Sequence, residues 1–106
     1  MKFNSQICTS REQSERLLAL GLKKDTADCG IYYSELAGCD RMFAKIETEF
    51  EADEIPAWSL HRLIEIVAHT QYPYYVISKE LPIYDALCER IEWLIKEGYF
   101  NKEYLV

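Results

Sequence analysis

The sequence lacks most features that would indicate a secreted, membrane-spanning or zinc-binding protein. No apolar run approaches the roughly 18 residues that span a bilayer, and residues 1–8 lack the pattern of a secretory signal. Its four cysteines (Cys8, Cys29, Cys39 and Cys88) form no Cys-x-x-Cys pair, which excludes a zinc knuckle or a redox motif of that type. We interpret them as buried thiols in a reducing cytoplasm, and we expect the protein to be cytoplasmic.

Basic residues are in the minority, with 12 Lys and Arg against 18 Asp and Glu, for a net charge of −6. A negative surface repels nucleic acid phosphates and anionic membranes. The charge therefore argues against nucleic acid and membrane as partners and favours a neutral or basic protein partner.

The chain of 106 residues contains no internal repeat, low-complexity tract or linker. This length is enough for one hydrophobic core without disulfides or metals to hold it. We therefore expect a single domain over residues 1–106.

The most informative segment runs from Trp58 to Thr70. Ser59 is typical of a helix N-cap, because its hydroxyl can accept a hydrogen bond from a free backbone N–H of the first turn. Trp58 and Leu63 have the spacing of a hydrophobic staple. A helical period of apolar residues follows at Leu60, Leu63, Ile64 and Val67, so a helix is predicted over residues 60–69.

Two further helices are predicted near the ends of the chain. Thr9-x-x-Glu12 and Ser10-x-x-Gln13 are overlapping capping boxes, and Gly21 ends that first helix with a Schellman motif. A last helix over residues 83–97 follows Pro82 and ends before Gly98. Its buried side is predicted from the three-and-four spacing of Tyr84, Leu87, Cys88, Ile91, Leu94 and Ile95. Asn101 can cap a final turn that carries Tyr104 and Leu105.

The segments between the helices favour extended structure. Residues 31–33 and 42–46 predict a hairpin around Gly38, and residues 72–77 predict an edge strand because of Pro73. Asp25 is predicted to cap a brief helical turn that ends at Cys29. The resulting fold class is α+β, with about three helices packed on a small antiparallel sheet from residues 31–54 and 72–78.

The stretch from Glu47 to Glu54 is acidic at alternate positions: Glu47, Glu49, Glu51 and Asp53. In an extended chain these four side chains point the same way. We interpret them as a solvated strand face, since the spacing does not match a calcium loop.

His61, Glu65 and His69 follow one another at intervals of four, so they share one side of the predicted helix. Adjacent pairs could hold a transition metal, which makes a metal-binding protein or enzyme one alternative function. The outer two lie about 12 Å apart along the helix axis, too far for one ion to take all three. A solvated polar face is the favoured interpretation, with no cofactor and no committed metal site.

A second alternative is a DNA-binding protein with a divergent helix-turn-helix, in which residues 13–20, Gly21 and a second helix near Thr26 form the motif. A recognition helix presents Arg, Lys, Asn or Gln to the bases. The second helix offers instead Asp25, Thr26 and Asp28, so the pattern favours an ordinary helical corner.

No convergent catalytic group is indicated. Cys88 lies on an apolar helical stripe, Ser59 is accounted for as a cap, and no glycine-rich phosphate loop is present. Catalytic residues are therefore predicted to be none.

Aromatic residues are plentiful, with eight Tyr, four Phe and two Trp. A small domain has limited interior, so some rings should lie on the surface and could form an interface. We hypothesise a homodimer that uses residues 72–77 or the C-terminal tail. The candidate interaction residues are Trp58, Tyr72, Tyr74, Tyr75, Tyr99, Phe100 and Tyr104.

Four stretches of the sequence carry a resemblance to a known group of proteins. They are residues 10–22 (SREQSERLLALGL), 26–28 (TAD), 55–60 (IPAWSL) and 91–99 (IEWLIKEGY). In this order they resemble a group of short uncharacterised proteins found in bacteriophages and integrated mobile elements of gut anaerobic bacteria. Residues 30–54 and 70–82 lie outside the match. The resemblance implies a phage-like context and carries no activity. We therefore expect a non-enzymatic accessory or protein-interaction domain that binds a host or phage protein.

Overall fold

The computed structural model describes residues 6–44, 49–70 and 81–106. This part of the chain contains three α-helices, α1 (Arg11–Ala19), α2 (Leu60–Ala68) and α3 (Ile83–Lys96). It also contains three antiparallel strands, β1 (Cys29–Ser34), β2 (Cys39–Ala44) and β3 (Ile55–Ala57), in the order β2-β1-β3. The predicted α+β fold class is confirmed.

The ends of α1 form as the capping residues predict. Ser10 Oγ accepts from Gln13 N at 3.2 Å, and Gln13 Oε1 accepts from Ser10 N at 2.9 Å, which completes the capping box. Gly21 has φ +99°, and Leu22 N donates to Leu17 O at 3.2 Å, as a Schellman motif requires. Thr9, the other candidate cap, instead accepts a hydrogen bond from Trp58 N at 3.0 Å.

Local signals also set the ends of α2 and α3. Ser59 Oγ accepts from Arg62 N at 3.1 Å, which confirms Ser59 as the N-cap of α2. Pro82 directly precedes α3. Asn101 caps the short 3₁₀ turn Lys102–Tyr104, because its side-chain oxygen accepts from Glu103 N at 3.0 Å.

The main hydrophobic core lies among the helices. α1 contacts both β3 and α3, and α2 packs on α3. The core combines the staple residues Trp58 and Leu63 with apolar residues of all three helices, of the turn after α1 and of the C-terminal tail: Leu17, Leu22, Ile66, Val67, Tyr84, Leu87, Cys88, Ile91, Leu94 and Phe100. The buried stripe predicted for the last helix is thus the side of α3 that faces this core, with Ile95 half-buried at its margin.

A smaller buried cluster lies on the inner face of the sheet and contains Cys8, Cys29, Ile31 and Ala57. On the outer face, Gly30 of β1 is opposite Phe43 of β2. A Cβ at residue 30 would lie 2.3 Å from Phe43 Cζ. The Phe43 ring can therefore cover β1 only because residue 30 has no side chain.

The chain between α1 and β1 differs from the sequence prediction. Only Lys24–Thr26 forms a 3₁₀ turn, Asp25 does not cap it, and Cys29 is already the first residue of β1. The reason is tertiary, because Cys29 pairs with Ala44 and Ala57 in the sheet. The second helix of the helix-turn-helix alternative is therefore not formed in this described segment.

The predicted strand is also not formed in residues 49–54, the part of the acidic stretch that the structure describes. Glu54 Oε1 accepts from Glu51 N at 2.7 Å, and this contact holds a turn rather than an extended chain. Glu49, Glu51 and Asp53 are nevertheless exposed. The third strand is Ile55–Ala57, whose Pro56 suits a strand that pairs on one side only. Glu47, the end of the 42–46 run and the strand predicted at 72–77 lie outside the described residues.

Candidate interaction surface

Two of the aromatic residues predicted to make contacts lie in the core instead. Trp58 is fully buried, and its indole Nε1 donates to Thr26 Oγ1 at 2.9 Å. Phe100 is also buried, with its ring 6.2 Å from that of the half-buried Tyr104. A surface contact through Trp58 or Phe100 would require the core to open. Tyr72, Tyr74 and Tyr75 lie outside the described residues.

Two candidates remain. Tyr104 is half-buried against the core, whereas Tyr99 lies on an exposed aromatic surface at the end of α3. Its ring centroid is 5.7 Å from that of Trp93, and the two side chains are 37% and 39% exposed. The guanidinium of Arg90 lies 4.5 Å from the centre of the Trp93 ring, within the range of a cation–π interaction. Ile83, seven residues before Arg90, is on the same side of the helix and is also exposed. We call Ile83, Arg90, Trp93 and Tyr99 the α3 surface.

Local sequence explains how this surface forms. Ile91 and Leu94 point into the core, so the helical period turns Trp93, which lies between them, outward. Helix α3 ends at Lys96, and Tyr99 N then donates to Leu94 O at 2.9 Å. This Schellman-type return brings Tyr99 back beside the last turn of the helix.

Arg90 and Trp93 were missed by the sequence analysis, although a signal for both was present. Trp93 does not fit the apolar stripe of α3, and Arg90 precedes it by three residues, which is the spacing of neighbours on one helix face. An aromatic residue off the buried stripe, with a cation one turn away, could have been identified as an exposed pair.

Charged residues of both signs border the α3 surface. Glu92 forms ion pairs with Arg16 and, at 3.1 Å, with Lys96. The Arg16 guanidinium, followed by Lys96, holds the pKa of the Glu92 carboxyl below its usual value. These three residues, Glu89 and Trp93 line a shallow cleft of about 240 Å³. An apolar centre with a polar, ion-paired rim is the usual anatomy of a protein–protein interface.

The histidines of α2 are not arranged as a closed metal site. His61 Nε2 lies 3.3 Å from Glu65 Oε1, and the His61 side chain is 83% exposed. His69 lies just beyond the last turn of the helix. Within the ranges that the structure describes, no three His, Cys, Asp or Glu side chains are grouped to hold a metal ion.

The contacts of the Ser59 hydroxyl are those of a helix cap. Its Oγ donates to the Asp28 carboxylate and accepts from Arg62 N. Asp28 also accepts from Ser59 N at 2.8 Å. A serine nucleophile requires a general base at hydrogen-bond distance, and these partners include no histidine. Asp28 and Ser59 therefore fix the start of α2.

Two further clefts are open to solvent. One, of about 500 Å³, lies beside Tyr32 and Phe43 on the outer face of the sheet. The other, of about 440 Å³, lies between the end of α2 and the final 3₁₀ turn, where His69, Thr70 and Lys102 line it. Neither combines an exposed Trp, Tyr and Arg, the residue types that dominate binding energy in protein interfaces.

None of the described helices is both long enough and apolar enough to cross a bilayer. Comparison of the chain with protein-family models, with curated proteins and with solved structures gives no match. Among the described residues, the α3 surface is the strongest candidate for a functional site.

Proposed function

We propose that this protein is a non-enzymatic protein-interaction domain that binds its partner through the α3 surface. The observation that carries the proposal is the partial exposure of two neighbouring aromatic rings, Trp93 on the side of α3 that faces away from the core and Tyr99 just beyond the helix. The Arg90 guanidinium lies beside the Trp93 ring. Tryptophan, tyrosine and arginine are the residues most enriched at interface hot spots. A helix anchored in the core also presents them with little loss of conformational freedom on binding.

The net charge of −6 favours a partner that is neutral or basic, since an acidic partner would be repelled. The resemblance to short phage and mobile-element proteins supports an accessory role in such an element, with a host or phage protein as the partner. The proposed site of action is the cytoplasm.

The proposal is tested by affinity capture from the native host, with quantitative mass spectrometry of the bound proteins. The wild type, Trp93→Ala and Tyr99→Ala are compared with the control His61→Ala, which changes an exposed side chain on α2, outside the α3 surface. Truncation of a hot-spot residue costs about 2 kcal/mol or more, so a true partner should be depleted roughly thirtyfold by Trp93→Ala. It should be retained by His61→Ala.

Candidates from the capture are then titrated, as purified proteins, against the wild type and the same three variants by calorimetry. Affinity that falls in both aromatic variants and not in His61→Ala supports the proposal. If every partner that binds the wild type binds Trp93→Ala equally well, the α3 surface is not the interaction site.

Self-association is the alternative to that proposal. Tyr99 belongs to the C-terminal tail suggested for a homodimer, although a second copy would carry the same net charge of −6. Light scattering coupled to size exclusion, over a range up to high micromolar protein, measures the mass directly. A dimer mass that Trp93→Ala reduces to that of a monomer would make a second copy the partner. A monomer mass at every concentration would show that the partner of the α3 surface is a different protein.

A further inference from the structure

Cys8 and Cys29 lie together on the inner face of the sheet, in the cluster with Ile31 and Ala57. Backbone pairing places them there. Cys29 is opposite Ala57 in the register of β1 and β3. Thr9, which follows Cys8, and Trp58, which follows Ala57, are joined by a hydrogen bond of 2.8 Å from Thr9 N to Trp58 O. Two thiols that are 21 positions apart in the sequence are therefore held side by side.

The two thiols also differ in character. The thiol of Cys29 lowers the pKa of Cys8. The pKa of Cys29 is itself raised, first by its interaction with Cys8 and then by burial. The interaction between the two thiols therefore favours a thiolate on Cys8 over one on Cys29, while burial disfavours a thiolate on either sulfur. Cys88 provides an internal comparison, since burial in α3 raises its pKa to about 11.

We propose that Cys8 and Cys29 form an oxidisable dithiol site that reacts with a hydroperoxide to give an intramolecular disulfide. The Cys8 thiolate attacks one peroxide oxygen, the O–O bond breaks, and hydroxide leaves, so that Cys8 becomes a sulfenic acid. The Cys29 sulfur then loses its proton and attacks the Cys8 sulfur, and the S–O bond breaks. With hydrogen peroxide, two thiols and one peroxide give one disulfide and two waters.

The arrangement suits a small oxidant. Cys8 is fully buried and Cys29 is 8% exposed. A bulky disulfide reagent therefore reaches the two thiols of the folded protein less readily than hydrogen peroxide, which is close in size to water. The bond would tie the segment before α1 to strand β1. This inference is independent of the α3 surface and of the proposed binding function.

The test uses the Cys39→Ser variant, because Cys39 is the exposed thiol and would otherwise form links between molecules. The folded variant is treated with increasing hydrogen peroxide, unfolded, alkylated and mapped by mass spectrometry. We expect a linked peptide of Cys8 and Cys29 at doses that leave Cys88 fully alkylated. The matched control is the same variant unfolded in urea before oxidation, in which all three pairings of the remaining cysteines should form.

An excess of the Cys8–Cys29 peptide of at least severalfold in the folded over the unfolded sample supports the site. The proposal would be overturned if the folded and unfolded samples gave the same distribution of linked peptides. It would also be overturned if Cys8 and Cys29 were still free thiols at doses that oxidise Cys88. The order of steps has its own readout, which is a sulfenic-acid probe on Cys29→Ser and on Cys8→Ser. Labelling should occur at Cys8 in the first and be absent from Cys29 in the second. Labelling of Cys29 in Cys8→Ser would show that Cys8 is not the attacking thiolate.

Discussion

The two tryptophans lie in contrasting regions of the molecule. Trp58 is fully buried, and its indole N–H donates to Thr26. Trp93 is 39% exposed and lies under the guanidinium of Arg90. Both occur in apolar stretches of sequence, so hydrophobicity alone does not distinguish them. The difference shows that position relative to the helix cap and the helical stripe decides whether an aromatic side chain supports the fold or is offered to a partner.

The largest expected effect is on stability at Trp58. Trp58→Ala should lower the free energy of unfolding by about 3–5 kcal/mol, because it leaves a cavity in the core. Trp93→Ala should lower it by less than about 1 kcal/mol, since the ring is half in solvent. Urea denaturation of the two variants measures both values. Equal losses would mean that the two regions do not differ as the structure indicates.

A smaller effect is expected at Thr26, whose hydroxyl accepts from the Trp58 indole. Thr26→Val should cost about 1–3 kcal/mol, because it leaves a buried N–H without an acceptor. Thr26→Ser keeps the hydroxyl and is the matched control. In a Trp58→Phe background the cost of Thr26→Val should shrink, and a double-mutant cycle from urea melts measures the coupling. No coupling would show that the hydrogen bond does not stabilise Trp58.

Around Trp93 the corresponding interaction should be weaker. Arg90→Gln removes the cation over an exposed ring, for which about 0.5–1 kcal/mol is typical. The cycle between Arg90→Gln and Trp93→Leu isolates this energy. If the coupling energy of Arg90 and Trp93 were as large as that of Thr26 and Trp58, the exposed and the buried tryptophan would not differ in the strength of their polar contacts as we expect.

The smallest effect concerns pH at the rim of the α3 surface. The folded-state pKa of Glu92 lies below its ordinary value of about 4.3. Its ion pairs with Arg16 and Lys96 therefore contribute stability above that ordinary value, and this contribution is lost as pH falls through the folded pKa. Carboxyl NMR should show the lowered midpoint in the wild type and a higher one in Arg16→Gln. An unchanged midpoint in Arg16→Gln would assign the shift to another cause.

Much of the helical structure follows from local sequence. The Ser10–Gln13 capping box, the Ser59 cap and Gly21 act through hydrogen bonds within a few residues, so they set helix ends without reference to the rest of the chain. The hairpin around Gly38 was predicted from the strand-like runs on either side of it, and β1 and β2 pair there. The error at residues 25–29 arose where a local helical preference competed with strand pairing by Cys29, and the pairing prevailed.

The candidate site was predicted only in part. Tyr99 was selected for its aromatic ring, but its contact with the Trp93 ring depends on the chain reversal after α3. Phe100, its neighbour in sequence, is buried instead. Two adjacent aromatic residues at the end of a helix thus face opposite directions, and the composition of the chain does not indicate which of them is buried and which is exposed.

The sequence by itself determined the helices, their caps and the buried stripe of α3, because these depend on contacts within one or two turns. Tertiary structure alone decided that Asp28 would anchor Ser59, that Cys8 would lie against Cys29, and that Arg16 would reach Glu92. The partners in these pairs are 21 to 76 residues apart. Their meeting depends on how the hydrophobic faces of helices and sheet pack together, and no local pattern encodes that packing.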